Sequence, residues 1–146
     1  MEEVNFLLYG EHMVDYGVIG ALILMSIISL SLFIERMVFF KRVRMEEYEH
    51  RDLLEIDLTD NISIISAIGS NAPYVGLLGT VFGIMITFYT LGDTGTVDTQ
   101  KIMTGLALAL KATAMGLVVA IPSIIFYTIS LRKIEKLLTR FDVYHG

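Results

Sequence analysis

The sequence predicts an all-α membrane protein with three transmembrane helices. Three apolar runs carry this prediction, at residues 16–34, 72–91 and 102–131. Each run has at least roughly the ~20 residues that a helix needs to cross a ~30 Å hydrocarbon core. Only one formal charge, Lys111, lies inside them. Because 54% of the 146 residues are hydrophobic, a soluble domain of this length could not bury all three helices.

The segments between the runs are too short to form a second domain. They are an N-terminal arm, a first loop of about thirty residues, a second loop of about ten and a tail of about fifteen, and none could bury a core of its own. We therefore expect a single membrane domain over 1–146, with spans at about 16–40, 62–91 and 102–131, a cytoplasmic loop at 41–61 and a cytoplasmic tail at 132–146.

Composition argues against several functions. The chain has no cysteine, which excludes disulfides and thiolate chemistry. His12, His50 and His145 are scattered in polar segments, so neither a metal site nor a cofactor is expected. The net charge of −5 comes without a basic stripe, so nucleic acid is not an expected partner. The runs contain no nucleophile–base pair, phosphate loop or carboxylate cluster, which argues against an enzyme.

The distribution of Lys and Arg predicts the orientation. Five lie in or beside the first loop and four in the tail, against Lys101 alone in the second loop and none in residues 1–15. Cytoplasmic segments carry the excess of cations, so we expect the N-terminus and residues 92–100 on the outer side of the membrane. The acidic arm lacks the basic region of a signal peptide, so the first span is expected to be retained.

The second and third helices are predicted to extend into the cytoplasm. The chain is apolar over residues 62–91, about 30 residues or roughly 45 Å of helix, which exceeds a membrane. After the third run, apolar residues follow at i, i+3, i+4 and i+7: Ile134, Leu137, Leu138 and Phe141. We expect this amphipathic extension to pack on the second helix below the membrane.

Local signals bound the helices. Candidate N-caps for the second helix are Thr59, Asp60 and Asn61. Residues 92–95 have turn chemistry. Pro122 is predicted to kink or loosen the third helix. At the end of the first span, the adjacent charges of Glu35 and Arg36 are expected to satisfy each other at the membrane interface.

Small residues in the second and third runs indicate close helix contacts. Gly76, Gly79 and Gly83 lie in the second run, the last two in a GxxxG spacing, and Gly116 lies among alanines in the third. Small residues on one stripe let helix backbones approach closely. The alternative is that glycines are simply common in membrane helices.

Three polar residues lie deep in the runs. Thr80 and Thr113 are near mid-depth, where a lone threonine usually bonds its own i−4 carbonyl. Lys111 lies about ten residues, roughly 15 Å, from the outer end of the third run. Inserting a charged lysine at that depth costs at least ~2.5 kcal/mol on insertion scales. It is predicted to face a protein interior, a partner or a wet cavity, with partial snorkelling as the alternative. Lys111 and Thr113 are about 200° apart on the helix and cannot both face one narrow lumen.

Two motifs together resemble the ExbB/TolQ/MotA family of proton-channel proteins, nearest its ExbB branch. Residues 72–84 read APYVGLLGTVFGI and residues 112–122 read ATAMGLVVAIP. The three-span layout and the Glu35–Arg36 pair also match. The resemblance covers nearly the whole chain, although either motif alone would be unspecific.

The resemblance implies a subunit of a proton-driven motor. ExbB-like proteins form a pentameric ring in the lipid around the transmembrane helices of a single-span partner, ExbD. Together they use the proton motive force to drive TonB, which powers outer-membrane transport such as iron–siderophore uptake. Thr80 and Thr113 match the family's pore-facing threonines, and we group Lys111 with them as a candidate pathway residue. The proton-carrying aspartate belongs to ExbD, which fits runs that have no carboxylate.

The chain departs from the family pattern at two positions. Many members carry a glutamate where this chain has Leu108, so any proton role of that glutamate cannot be carried over. Lys111 occupies a usually apolar position three residues on, about 60° around the helix. The loops are also short for the family, so the cytoplasmic part is expected to be small.

Other functions remain open at this point. A TolQ-type subunit serving envelope integrity has the same motifs. A non-conducting membrane scaffold would leave the threonines as helix-bonded filler. A self-sufficient ion channel would need a polar lumen from this chain alone, whereas the runs offer mostly Ala, Gly and Thr.

Overall fold

The computed structural model describes residues 2–95 and 98–146, apart from the side chains of residues 3, 4, 7, 8 and 94. Its elements are α1 (Glu2–Arg42), a short 3-10 turn (Met45–Glu47), α2 (Arg51–Thr59), α3 (Ile62–Thr94) and α4 (Thr99–His145). Three stretches are long and apolar enough to cross a membrane: Tyr9–Arg42, Ile62–Asp93 and Thr99–His145. The predicted all-α membrane fold with three spanning helices is confirmed.

The helices α3 and α4 form a close antiparallel hairpin. A Cβ built on Gly76 would lie 2.6 Å from the Ala112 carbonyl oxygen and 3.0 Å from the Gly116 Cα, so the two backbones touch. The connection is shorter than the predicted loop of ten residues, because α3 continues to Thr94. Of the predicted turn, only Gly95 lies outside the helix, with the left-handed φ of 63° that glycine adopts without strain.

The first helix packs along the middle of this hairpin. Leu22 of α1 is fully buried there. Its cluster is completed from α3 and α4 by Ile68, Ala72, Val119 and Ala120. The N-terminal arm is not separate from the first span, because α1 is helical from Glu2 onward rather than from about residue 16.

A second apolar cluster lies at the other end of the hairpin, where α2 covers it. Its buried members come from all four helices: Phe40, Leu54, Leu58, Ile62, Ile65, Ile134, Leu138 and Phe141. The amphipathic extension of α4 therefore packs against the start of α3, as predicted. One face of α2 is buried in the same cluster, because its two buried leucines are spaced i, i+4.

The predicted N-cap of α3 is correct in position but not in its hydrogen bond. Asn61 is the N-cap residue of α3, but its side chain makes no capping hydrogen bond and its φ is 59°. Thr59 ends α2, and its hydroxyl donates to the Glu55 carbonyl oxygen at 2.8 Å. Pro122 lies inside α4, which continues through it as one helix, and the expected kink stays a prediction.

Candidate functional site

Thr80 of α3 and Thr113 of α4 meet across the hairpin, with their Oγ1 atoms 2.5 Å apart. Thr80 is 7% exposed, and its hydroxyl donates to the Ala109 carbonyl oxygen at 2.9 Å. The carbonyl oxygen of Gly76, one turn back in its own helix, is farther away at 3.4 Å. Because a hydroxyl has one proton, Thr80 donates to Ala109 and accepts from Thr113. The pair is therefore an interhelical contact rather than two threonines bonded to their own helices.

The pair has one open side. Thr113 is half-buried, whereas Thr80 lies behind it. Thr113 is also the residue next to Ala112, which lies toward α1, and one residue along a helix is a turn of about 100°. Thr113 thus points about 100° away from the side of α4 on which Gly79 of α3 and Val18 of α1 pack. A hydroxyl there can bind water or an acid without placing a charge in the membrane.

Small side chains allow this close approach of the helices. Gly76 lies against the backbones of Ala112 and Gly116, and a Cβ built on Gly83 would lie 2.9 Å from the Ala109 Cβ. Gly76, Gly83 and Gly116 each lie where α3 and α4 are in contact. They lie on the same helix contact as the bond between the two threonine hydroxyls.

Gly79 lies at the point where α1, α3 and α4 meet. A Cβ built on it would lie 2.8 Å from the Ala112 Cβ and 2.9 Å from Val18 Cγ1 of α1. Two further close glycine contacts lie outside the GxxxG spacing, and the sequence analysis did not identify them: Gly69 with Ile124, and Gly105 with Thr87.

Lys111 is not brought to the threonine pair. Its Nζ lies 3.9 Å from Asp15 Oδ2 of α1, and the two side chains are 52% and 37% exposed. Asp15 also borders a cleft between α1, α3 and α4, with Glu11, His12 and Leu108. The sequence analysis missed Asp15 because it was assigned to an arm outside the span. A helix continuing upstream of the first span would have indicated it.

Arg36 is buried near the end of α1 and forms a hydrogen bond with α2. It is 5% exposed, donates to Glu35 Oε1 at 2.6 Å and donates to the Asp57 carbonyl oxygen at 3.0 Å. Asp57 lies in the last turn of α2, where carbonyl groups lack helical partners and a cation is favourable. The guanidinium carbon also lies 4.7 Å from the centre of the Phe39 ring. Arg36 therefore caps α2 as well as pairing with Glu35.

Further polar contacts fix α2 in place. The Tyr48 hydroxyl donates to Asp57 Oδ2 at 2.8 Å. Burial and this bond to a carboxylate raise the pKa of Tyr48 to about 12. Arg51 pairs with Glu55 at 3.1 Å and with Asp142 of α4 at 3.2 Å. The short helix α2 is thus bonded to α4 through Arg51 and to α1 through Arg36.

Two buried serines link α1 to α4. Ser29 donates to Ser123 Oγ at 2.8 Å, and Ser123 donates to the Val119 carbonyl oxygen at 2.9 Å. Both serines are nearly inaccessible, at 0% and 2% exposure. The sequence analysis missed them, although serine in an apolar helix is a known signal of helix association.

The fold and site define an integral membrane protein whose central hairpin has two bonded hydroxyls at a close contact of the helix backbones. The part of the chain that the structure describes has no group of three or more metal-ligating side chains. The MotA/TolQ/ExbB proton channel family matches residues 32–143, and the chain belongs to this family.

Individual relatives match most of the chain. It is 53% identical over 135 residues to biopolymer transport protein ExbB-like 2 of Helicobacter pylori, which covers 92% of this chain and 90% of the relative. It is 47% identical over 146 residues to biopolymer transport protein ExbB of Aquifex aeolicus, covering 100% and 95%. The ExbB of Salmonella typhimurium is 46% identical over 70 residues, 48% of this chain and 29% of that relative. The chain is therefore similar over its whole length to short ExbB proteins.

Proposed function

We propose that this chain is the ExbB-type subunit of an inner-membrane complex that converts the proton motive force into work. Family membership supports a proton-channel role, and the names of the relatives support biopolymer transport. The observation that carries the proposal is the Thr80–Thr113 pair, an uncharged hydroxyl site at the contact of two membrane helices.

The acid that carries the proton is assigned to a partner. The three apolar runs contain no Asp or Glu, so we infer a single-span protein of the ExbD type with an aspartate in the membrane. That aspartate would approach Thr113 on its open side, while Thr80 and the Ala109 carbonyl fix the hydroxyl in place. Protonation removes the charge of the aspartate and so lowers the free energy of moving it off the polar site.

Several copies of the chain would surround the partner helices, five by the family resemblance. In this arrangement Thr113 faces the partner and α1 lies outside, since α1 packs on the side of Gly79 and Ala112. A TonB-like protein would receive the work and use it for outer-membrane transport such as iron–siderophore uptake.

We propose that the N-terminus is periplasmic and the C-terminus cytoplasmic, on the cation bias of the loops. Single cysteines in this cysteine-free chain test the proposal, at Asp93 in the last turn of α3 and at Glu49 in the loop between α1 and α2. An impermeant thiol reagent should label intact spheroplasts at position 93 only. Labelling at position 49 and not at 93 would reverse the topology.

The threonine site is tested with Thr80→Val and Thr113→Val. Each change keeps the side-chain shape and removes a hydroxyl, so proton flux with the ExbD-like partner should fall about tenfold, or ~1.4 kcal/mol of barrier. The size of the ring should not change, because the glycine contacts remain. The matched control is Thr128→Val, which removes an exposed hydroxyl bonded to the Ile124 carbonyl oxygen of its own helix. Wild-type flux in both site variants would refute the proposed pathway.

A further inference from the structure

The helix pair at the base of the bundle has two free outer faces. This base consists of α2 and residues 132–145 of α4. The two helices pack through Leu54 and Leu58 on one side and Ile134 and Leu138 on the other. Each helix therefore presents its opposite face away from the pair.

The outer face of α4 is basic. Arg132, Lys136 and Arg140 are spaced i, i+4, i+8, about half a turn from the buried Ile134 and Leu138, and all three are exposed. They line a shallow cleft with Glu135 and Thr139. Among the described residues, none of the three cations has an ion-pair partner. We call Arg132, Lys136 and Arg140 the basic face of α4.

The outer face of α2 is apolar and acidic. Leu53 is 52% exposed and Ile56 is 64% exposed, although α2 is a polar helix outside the predicted spans. Asp52 and Asp60 flank them on the same side, and neither forms an ion pair within the part of the chain that the structure describes. We call Asp52, Leu53 and Ile56, together with Asp60 directly after the last residue of the helix, the outer face of α2.

We propose that the outer face of α2 in one copy binds the basic face of α4 in the next copy. This inference rests on the proposed function, which requires a homo-oligomer. The two faces have opposite charge and lie on opposite sides of one packed helix pair. Their contact is therefore head-to-tail, the kind that closes into a ring when the rotation between copies is right.

The heights of the two faces match at the lower end. Arg51 at the start of α2 pairs with Asp142 of α4 at 3.2 Å, which fixes their relative level. From there α2 runs toward the start of α3, antiparallel to α4, and each residue advances 1.5 Å in either helix. Asp52 is consequently level with Phe141, one residue or about 1.5 Å from the level of Arg140.

The same register holds at the upper end. Four residues further along α2, Ile56 is within about 1.5 Å of the level of Lys136. Another four residues on, Asp60, just past the end of α2, is similarly close to the level of Arg132. A ring about an axis normal to the membrane keeps every copy at the same height. The two aspartates of one copy thus meet the two arginines of the next, and Ile56 packs on the aliphatic stem of Lys136.

A second copy explains both faces together. Anionic lipid headgroups would satisfy the basic face but would leave Leu53 and Ile56 of α2 exposed to water. The neighbouring subunit supplies carboxylates and an apolar surface in the matching order along the helix.

Engineered cysteines test the contact directly in the cysteine-free chain. The double variant Ile56→Cys with Lys136→Cys, expressed with its partner in membranes, should give a ladder of disulfide-linked oligomers on mild oxidation. Each single variant is the control and should give no cross-link, because a head-to-tail contact never pairs a residue with itself. A cross-link in a single variant would overturn the proposal, since it indicates a symmetric two-fold contact.

Charge reversal provides an independent measurement. Asp52→Arg and Arg140→Asp should each weaken assembly by roughly two- to fivefold, and their combination should restore it. Lys101→Asp is the matched control at the other end of α4 and should leave assembly unchanged. If Arg140→Asp instead releases co-purified anionic phospholipid while assembly is unaffected, the face binds lipid and the proposal is wrong.

Ring mass separates this inference from the proposed function. A wild-type oligomer of full mass by native mass spectrometry, with no cross-link in the double variant, overturns the α2–α4 contact alone. A chain that stays monomeric with its partner in every membrane tested overturns the proposed function and the contact with it.

Discussion

The middle of the α3–α4 hairpin and its base are held together in opposite ways. In the middle, Gly76 and Gly116 bring the two backbones into contact. At the base, large side chains such as Leu54 and Phe141 fill the space between helices. Lipid tails are as apolar as leucine, so helices in a membrane gain by close backbone packing, whereas helices in water gain by burying apolar area. The change from small to large residues along one hairpin agrees with a membrane that ends above the base.

The largest effect is expected from a substitution that pushes α3 and α4 apart in the middle of the hairpin. Gly76→Val places methyl groups where a Cβ alone would lie 2.6 Å from the Ala112 carbonyl oxygen, and overpacking of this kind costs about 3 kcal/mol or more. We expect a large fall in the melting temperature of the purified protein in detergent. The control is Gly17→Val in α1, where a Cβ would meet nothing within 4 Å. Equal stability of the two variants would contradict backbone contact in the middle.

The base, formed by α2 and the end of α4, should unfold locally without unfolding the middle of the hairpin. Arg36→Met removes the bonds to Glu35 and to the Asp57 carbonyl oxygen, which is worth about 2 kcal/mol for bonds to a charged group. Hydrogen exchange should rise over residues 43–61 and stay unchanged in the middle of α3. The exposed Arg44→Met serves as the control. Loss of protection throughout the chain would show that the two regions unfold as one unit.

Lys111 should have the smallest effect on stability. Its pair with Asp15 is long and half-exposed, and such pairs contribute about 0–1 kcal/mol. Lys111→Leu should also insert more readily, because it removes a charge from an apolar run. The prediction from sequence is that this variant still impairs energised transport. Full transport by Lys111→Leu, with Asp15→Asn measured beside it, would leave the lysine only a structural role.

The sequence predicted the positions of the helices better than the contacts between them. Hydropathy alone located three spans, because the length of an apolar run is a property of the run itself. The glycine spacing indicated which face of α3 is packed. It did not indicate that Thr80 and Thr113 bond to each other, since this depends on how far α3 is shifted along α4.

The contacts that were missed share one physical cause. Asp15 with Lys111 and Ser29 with Ser123 join residues far apart in sequence, and each depends on where α1 lies against the hairpin. No periodicity within a single helix contains that information. The left-handed Asn61 at the start of α3 was missed for a different reason, because a polar residue before an apolar run usually caps with its side chain.

The hydrogen bond from Arg36 to α2 affects which substitutions the chain tolerates at the two ends of the bond. The guanidinium bonds the carbonyl oxygen of residue 57, an atom that every amino acid supplies. Position 36 needs a long side chain with planar donors, whereas position 57 can change side chain and keep this bond. In a deep mutational scan the two ends of one hydrogen bond should therefore behave differently, with position 36 intolerant and position 57 limited chiefly by its bond from Tyr48.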